Sequence, residues 1–449
     1  MKSLILALTV AASQLTPAAA TPALDWGPCP TDGPDHMECA LFTVPLDWHD
    51  PGGRTVTLEL GRLRATGPSQ GTVLVNYGGP GAPGVEVMSN RLLSPGTQPF
   101  DQLRQHMDIV TWDPRGYGLL GGRSTPVLDW SCIKTLPDSG MPALPTTQAG
   151  FTQLAQENAV IANACRTQDP ALFDHMDTLT NVHDMDAIRR ALGQSKLNLY
   201  MGSYGGVYGQ TYADLYPDRV RTMVIDSSGD HSRDFDRAQD AIARDNVVRR
   251  QRFADWCAAD PACALHGQDV SKVMATALGD WSSKLALVGR LIRSSRADFP
   301  QLAADLARAE HGDKSAFPNP HMGYPVSECH EWPAPRGFAE LTASVDRLAR
   351  IDPVLGAAGT MVPFTLACVG WPGDVNDPPR PLPAHLPPLL AVGGWGDFPA
   401  TNRVTSRVPG SGSIYHDDFG HELYAIGNPC VIPLVDQYFR TGVPPKAVC

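Results

Sequence analysis

The chain has 449 residues, 43% hydrophobic and 18% charged, which fits a globular protein large enough for one big domain with an insertion. Its formal charge of −11, with no basic cluster to track phosphates, excludes nucleic acid and anionic membrane as expected partners.

Met1-Lys2-Ser3, the apolar run Leu4 to Val10 and the small residues up to Ala18-Ala19-Ala20 have the form of a secretory signal peptide. Cleavage is expected after Ala20. The apolar run is too short to span a bilayer, and no other segment would anchor the chain, so a secreted protein without a membrane anchor is expected. Ten cysteines agree with export, because an oxidising compartment lets them pair. Spacing does not dictate connectivity. Short loops close most readily, so the preferred set is Cys29 with Cys39, Cys132 with Cys165, Cys257 with Cys263, Cys329 with Cys368 and Cys430 with Cys449. Zinc-type C-x-x-C or Cys/His spacing is absent, and neither a metal nor another cofactor is expected.

From Glu38 to Leu63, alternating and β-branched residues broken by Pro45 and Pro51-Gly52-Gly53 predict antiparallel strands. A strand at Thr72–Asn76 runs into Gly78-Gly79-Pro80-Gly81. Another, Met107 to Trp112, precedes the turn Asp113-Pro114-Arg115-Gly116-Tyr117-Gly118. Helical spacing from Asp184 to Leu192 stops at Gly193. An apolar run, Lys196 to Met201, then ends in Gly202-Ser203-Tyr204-Gly205-Gly206, followed by a helical stretch from Val207 to Tyr216 and a strand, Val220 to Asp226. Strands alternating with helices imply a mostly parallel sheet covered on both faces.

From about Ser232 to Ala367 strand-like runs vanish. Helical segments replace them at Arg237 to Cys257, Val270 to Ile292, Phe299 to Glu310 and Ala339 to Leu348. A proline-rich strap, Pro372 to Pro388, returns the chain to a buried strand that delivers Asp397. Ser413-Ile414-Tyr415 and the loop His416 to His421 follow.

Strand, sharp turn and helix around Ser203 form the setting of a nucleophile elbow, which lifts one hydroxyl clear of a sheet. The residues two before and two after that serine should be small; Gly205 meets the demand and Met201 does not. Ser203, Asp397 and His421 stand in the chain order of an α/β-hydrolase triad. His421 would take the serine proton, and Asp397 would orient and stabilise the imidazolium. Asp417 and Asp418 are rival acids, but they precede His421 in its own loop and end no strand. His416 is a rival base, disfavoured because Gly420 adjoins His421. Bare backbone N–H groups of Gly79 and Tyr204 are assigned to an oxyanion hole. The expected fold is therefore α/β-hydrolase, with a mostly parallel central sheet and a helical cap inserted before the acid and the histidine. Its expected parts are a signal peptide (1–20), a first part of the core (21–231), the cap (232–370) and a second part of the core (371–449).

These pieces together resemble the secreted actinobacterial tripeptidyl aminopeptidases within the prolyl-aminopeptidase-like group of α/β-hydrolases. The matching residues are Val44-Pro45-Leu46-Asp47-Trp48, Gly78-Gly79-Pro80-Gly81, Asp113 to Gly118, Asp186-Ala187-Ile188-Arg189 with Leu192-Gly193, and the elbow with Tyr212-Ala213 and Pro217. Cys368 with Trp371, Asp397, Gly420-His421 and the tail from Cys430 through Gly442 and Pro444 to Cys449 complete them. The resemblance implies a serine exopeptidase that removes short N-terminal pieces from peptides; a monomer is expected. It also implies cap carboxylates that bind the free amino group. The matching segment is Val326-Ser327-Glu328-Cys329-His330-Glu331-Trp332, so that role is carried to Glu331, with Glu328 as a helper. Two departures, Met201 and Asn76-Tyr77 where prolyl aminopeptidases often have histidine, leave open an esterase, amidase or acyltransferase acting on a small acylated molecule. A non-catalytic binding protein on the same scaffold is disfavoured by the full triad.

Overall fold

A computed structural model of the protein describes residues 24–30, 36–93, 99–118, 122–129, 141–320 and 326–449. The expected signal segment and Cys132 lie outside these residues.

Among the described residues one sheet holds ten strands: β1 (Gly27–Pro28), β2 (Met37–Pro45), β3 (Thr55–Leu63), β4 (Thr72–Asn76), β5 (Asp108–Trp112), β6 (Leu197–Gly202), β7 (Val220–Asp226), β8 (Leu390–Gly394), β9 (Gly412–His416) and β10 (Lys446–Val448). Their order is β1-β2-β3-β5-β4-β6-β7-β8-β9-β10. The first three pairings are antiparallel and the rest parallel. β2 and β3 form a hairpin and leave several residues exposed, whereas every residue of β4, β6 and β8 is buried, as strands covered on both faces require.

Two apolar layers cover the sheet. On one side Leu199 and Met201 pack with Ile188 and Tyr208 from the helices Thr178–Ala191 and Gly205–Leu215. On the other, Tyr200 and Val224 meet Tyr438 and Phe439 of the helix Val431–Thr441. Asp177 caps the helix Thr178–Ala191 by accepting from the Thr180 N–H, so this helix begins six residues before the apolar spacing predicts.

Between β7 and β8 the described residues form α-helices and short 3-10 turns but no strand. The single helix predicted from Val270 to Ile292 is two, Val270–Ala277 and Trp281–Arg293. The break has a local cause: Asp280 accepts from the Ser283 N–H and caps a new helix directly after Gly279. These helices enclose an apolar cluster of their own, including Phe253, Leu287, Phe299 and Leu306, which reaches Trp395 of the core.

Disulfides join Cys29 to Cys39, Cys257 to Cys263, Cys329 to Cys368 and Cys430 to Cys449. Cys165 is also disulfide-bonded. Among the described residues no helix is long and apolar enough to cross a membrane.

Candidate active site

β6 lies between β4 and β7 and ends at Gly202, so the chain must turn sharply to enter the helix Gly205–Leu215. Ser203 makes that turn at φ 50°, a strained value for a residue with a side chain. Its N–H is held by the Asp226 carbonyl at 2.9 Å. Gly205 has to be small: a Cβ there would stand 2.6 Å from Asn76 Oδ1. Met201 is fully buried and fits because Gly209, one turn into the helix, leaves room for it. A Cβ on Gly209 would lie 2.9 Å from Met201 Cγ.

Asp397 follows β8, and His421 sits on the loop after β9. His421 Nε2 lies 2.9 Å from Ser203 Oγ, and His421 Nδ1 lies 2.7 Å from Asp397 Oδ2. An ionised carboxylate only accepts, so Nδ1 carries the proton and Nε2 is free to accept from the serine. Burial works against the charged imidazolium, but the hydrogen bond and charge of Asp397 outweigh it and raise the His421 pKa. The rivals are engaged elsewhere. His416 Nδ1 faces the Cys449 carbonyl at 3.3 Å, Asp417 pairs with Arg296 at 2.8 Å, and Asp418 accepts from the Arg296 N–H at 3.0 Å.

Gly78, at φ 81°, brings the loop after β4 onto the elbow; a Cβ there would be 2.7 Å from Tyr204 N. No described backbone acceptor takes the N–H of Gly79 or of Tyr204. Both residues line the same cavity of about 360 Å³ as Ser203, Asp397 and His421. Two unpaired N–H groups beside a hydroxyl can receive a developing oxyanion.

The same cavity is lined mainly by apolar side chains, Val207, Ile242, Trp332, Met361 and Phe364 among them, and one of its carboxylates is Glu328. Burial pushes the Glu328 pKa up to about 7. Glu331 is not among the lining residues. It is fully buried, accepts from Thr178 Oγ1, and burial holds its pKa well above the usual carboxylate range despite that bond. Among the described residues no group of three His, Cys, Asp or Glu side chains is placed to hold a metal ion.

Sequence reasoning passed over Asp226. This fully buried carboxylate at the end of β7 accepts from Tyr200 Oη, Ser227 Oγ and the Tyr424 N–H, each at 2.9 Å. Ser227 Oγ in turn accepts from the Glu422 N–H at 3.0 Å. The loop that carries His421 is thus pinned directly after the histidine. An acid directly after the apolar run Met223-Val224-Ile225 was the available signal.

The fold and this constellation define a serine hydrolase. The chain belongs to the α/β-hydrolase family: the family model for the alpha/beta hydrolase fold matches residues 71–325, and one for TAP-like proteins matches residues 352–449. It is 27% identical over 473 residues to the tripeptidyl aminopeptidase of Streptomyces coelicolor, covering 94% of this chain and 85% of the relative. It is 28% identical over 495 residues to carboxylesterase B of Mycobacterium tuberculosis, covering 96% and 91% of the two chains. Serine protease Hip1 of Mycobacterium tuberculosis is 30% identical over 260 residues, 56% of this chain and 48% of the relative.

Proposed function

We propose that this serine hydrolase is a secreted exopeptidase that releases short N-terminal pieces, tripeptidyl or prolyl in type, from peptides through an acyl-enzyme on Ser203. One observation carries the reading: the Ser203–His421–Asp397 chain and the Glu328 carboxylate share one mostly apolar cavity. The helices of 232–370 act as its cap over a core formed by 21–231 and 371–449.

His421 Nε2 takes the Ser203 proton as Oγ attacks the scissile carbonyl, and the N–H groups of Gly79 and Tyr204 receive the negative oxygen. The C–N bond then breaks, and His421 returns the proton to the departing amine. Water, deprotonated by the same imidazole, releases the acyl piece from Ser203. Asp397 keeps the imidazole in the tautomer both steps need. Glu328, once ionised, holds the substrate ammonium and sets how far the peptide enters. The cysteine pairs and the leader-like start of the sequence support export.

The test compares free and N-acetylated peptide anilides with p-nitrophenyl esters. Rapid turnover of free-amine peptides with poor turnover of blocked ones is expected. Rapid cleavage of blocked peptides or of esters alone would favour the esterase, amidase or acyltransferase reading, which the carboxylesterase relative also fits.

A further inference from the structure

A second cavity, of about 300 Å³, lies behind the loop that carries Asp397. Asp245, Val248, Arg249 and Arg252 line it from the helix Phe235–Ala259. Their spacing puts all four on one helical face. The opposite wall is Trp395, Phe398 and Pro399, and Tyr415 of β9 closes the end. Asp397 itself lines the Ser203 cavity, so Gly396, Asp397 and Phe398 are the partition between the two.

The aromatic walls are braced. Trp395 stacks on Phe299 at 5.4 Å between ring centres, and Phe398 meets Tyr415 at 5.1 Å. The Arg252 guanidinium stands 5.4 Å from the Trp395 ring centre and 5.8 Å from that of Tyr415.

The cationic side has donors to spare. Arg252 donates to Tyr415 Oη at 2.7 Å and lies 3.6 Å from Asp417, which Arg296 shares. Arg249 donates to Asn246 Oδ1 and to the Gly396 carbonyl, and its Nε is buried without an acceptor among the described residues. Each guanidinium offers five N–H donors in a planar fork, more than these acceptors occupy. The carboxylate in the lining, Asp245, is already taken by both arms of Arg403, at 2.7 and 3.1 Å. Asp397 attracts Arg249 across the partition but is committed to His421. A chain whose formal charge is −11 thus presents two arginines beside a wall of rings.

We propose that this cavity is a second small-molecule site, taking a carboxylate on a flat apolar body, such as an aryl-substituted acid. The carboxylate would engage the forks of Arg249 and Arg252, and the body would lie against Trp395, Phe398 and Pro399. The site stands whatever acyl group Ser203 accepts.

The experiment is calorimetric titration of the full chain with phenylacetate, and with phenylacetamide as its neutral isostere, before and after a fluorophosphonate has blocked Ser203. Saturable binding of phenylacetate should survive the block, and the amide should bind roughly tenfold more weakly or worse. Arg252→Gln should weaken phenylacetate by a similar factor. Val248→Asp changes a side chain that is 57% exposed, so it spares the core while placing a like charge at the cavity. It should weaken phenylacetate and not the amide. No saturable binding, equal binding of the two compounds, loss of binding on blocking Ser203, or indifference to both variants would each overturn the proposal.

Discussion

Thr178 Oγ1 donates to Glu331 Oε1 and ties the first turn of a core helix to the segment that carries Glu328. The same hydroxyl lies 3.1 Å from the phenol of Tyr204, the residue after Ser203. Burial raises the Glu331 pKa well above the ordinary carboxylate value and so favours its neutral form. Glu331 does not line the Ser203 cavity and is bonded to Thr178, so we propose that it positions the elbow, with Glu328 as the amine ligand.

Glu331→Gln should keep most activity, because the amide can still accept from Thr178. Glu331→Ala removes the acceptor of the buried Thr178 hydroxyl, at a cost of about 1–3 kcal/mol. Its kcat should fall on esters and free-amine peptides alike, with KM little changed. A loss confined to free-amine peptides would return Glu331 to the amine-binding role.

Glu328 makes the opposite prediction. It must be ionised to hold an ammonium, and burial raises its pKa to about 7. The rate on free-amine peptides should therefore carry an ionisation near 7 that ester hydrolysis lacks, and Glu328→Gln should remove it. Stability follows the same group with a definite sign. The folded pKa is raised above the ordinary 4.5, so its favourable contribution is complete below 4.5 and is lost as pH rises through about 7. Glu328→Gln should thus gain on the parent by up to roughly 3 kcal/mol at pH 8 and little at pH 4. Urea unfolding at both pH values checks this; equal differences would mean Glu328 is not protonated in the fold.

Much of this architecture is legible locally. Ser203 is marked by the strand before it and the helix after it, Asp397 by the end of β8, and His421 by its glycine neighbour and late position. What fails to show is what depends on distant packing. Asp226 acts through Tyr424, 198 positions away, and the fit of Met201 depends on Gly209. Glu328 and Glu331 are three apart on a short helix and turn, and no pattern in seven residues says which of them faces the cavity. Asp280 could have been read as a cap. Helical apolar spacing on both sides of it obscured the break.

The Cys329–Cys368 disulfide closes a separation of 39 residues and adjoins Glu328. In the chain-entropy picture a loop of that length contributes roughly 4 kcal/mol. Cys368→Ser should lower stability by that order. It should also reduce turnover of free-amine peptides more than of esters, because Glu328 loses its tether. Denaturation and paired kinetics test both parts; an ester loss as large as the peptide loss would mean that the bridge supports the elbow instead.

The last prediction concerns His421. Burial disfavours its charged form, yet the hydrogen bond and charge of Asp397, with Glu422 and Asp226 adding to them, raise its pKa above the ordinary 6.5. A general base works only when neutral, so the acid limb of kcat/KM for esters, which do not use Glu328, should lie above 6.5. For stability the sign is reversed. The contribution of a raised histidine is complete below 6.5 and fades as pH rises through its folded pKa, so activity rises as this term is lost. Asp397→Asn removes the dominant raising influence and the tautomer control together. The limb should shift down, and kcat should fall by roughly 10⁴-fold, as in other hydrolases built on this triad. NMR titration of His421 in Ser203→Ala, with and without Asp397→Asn, reads the pKa directly. An unchanged value would show that Asp397 is not its electrostatic partner.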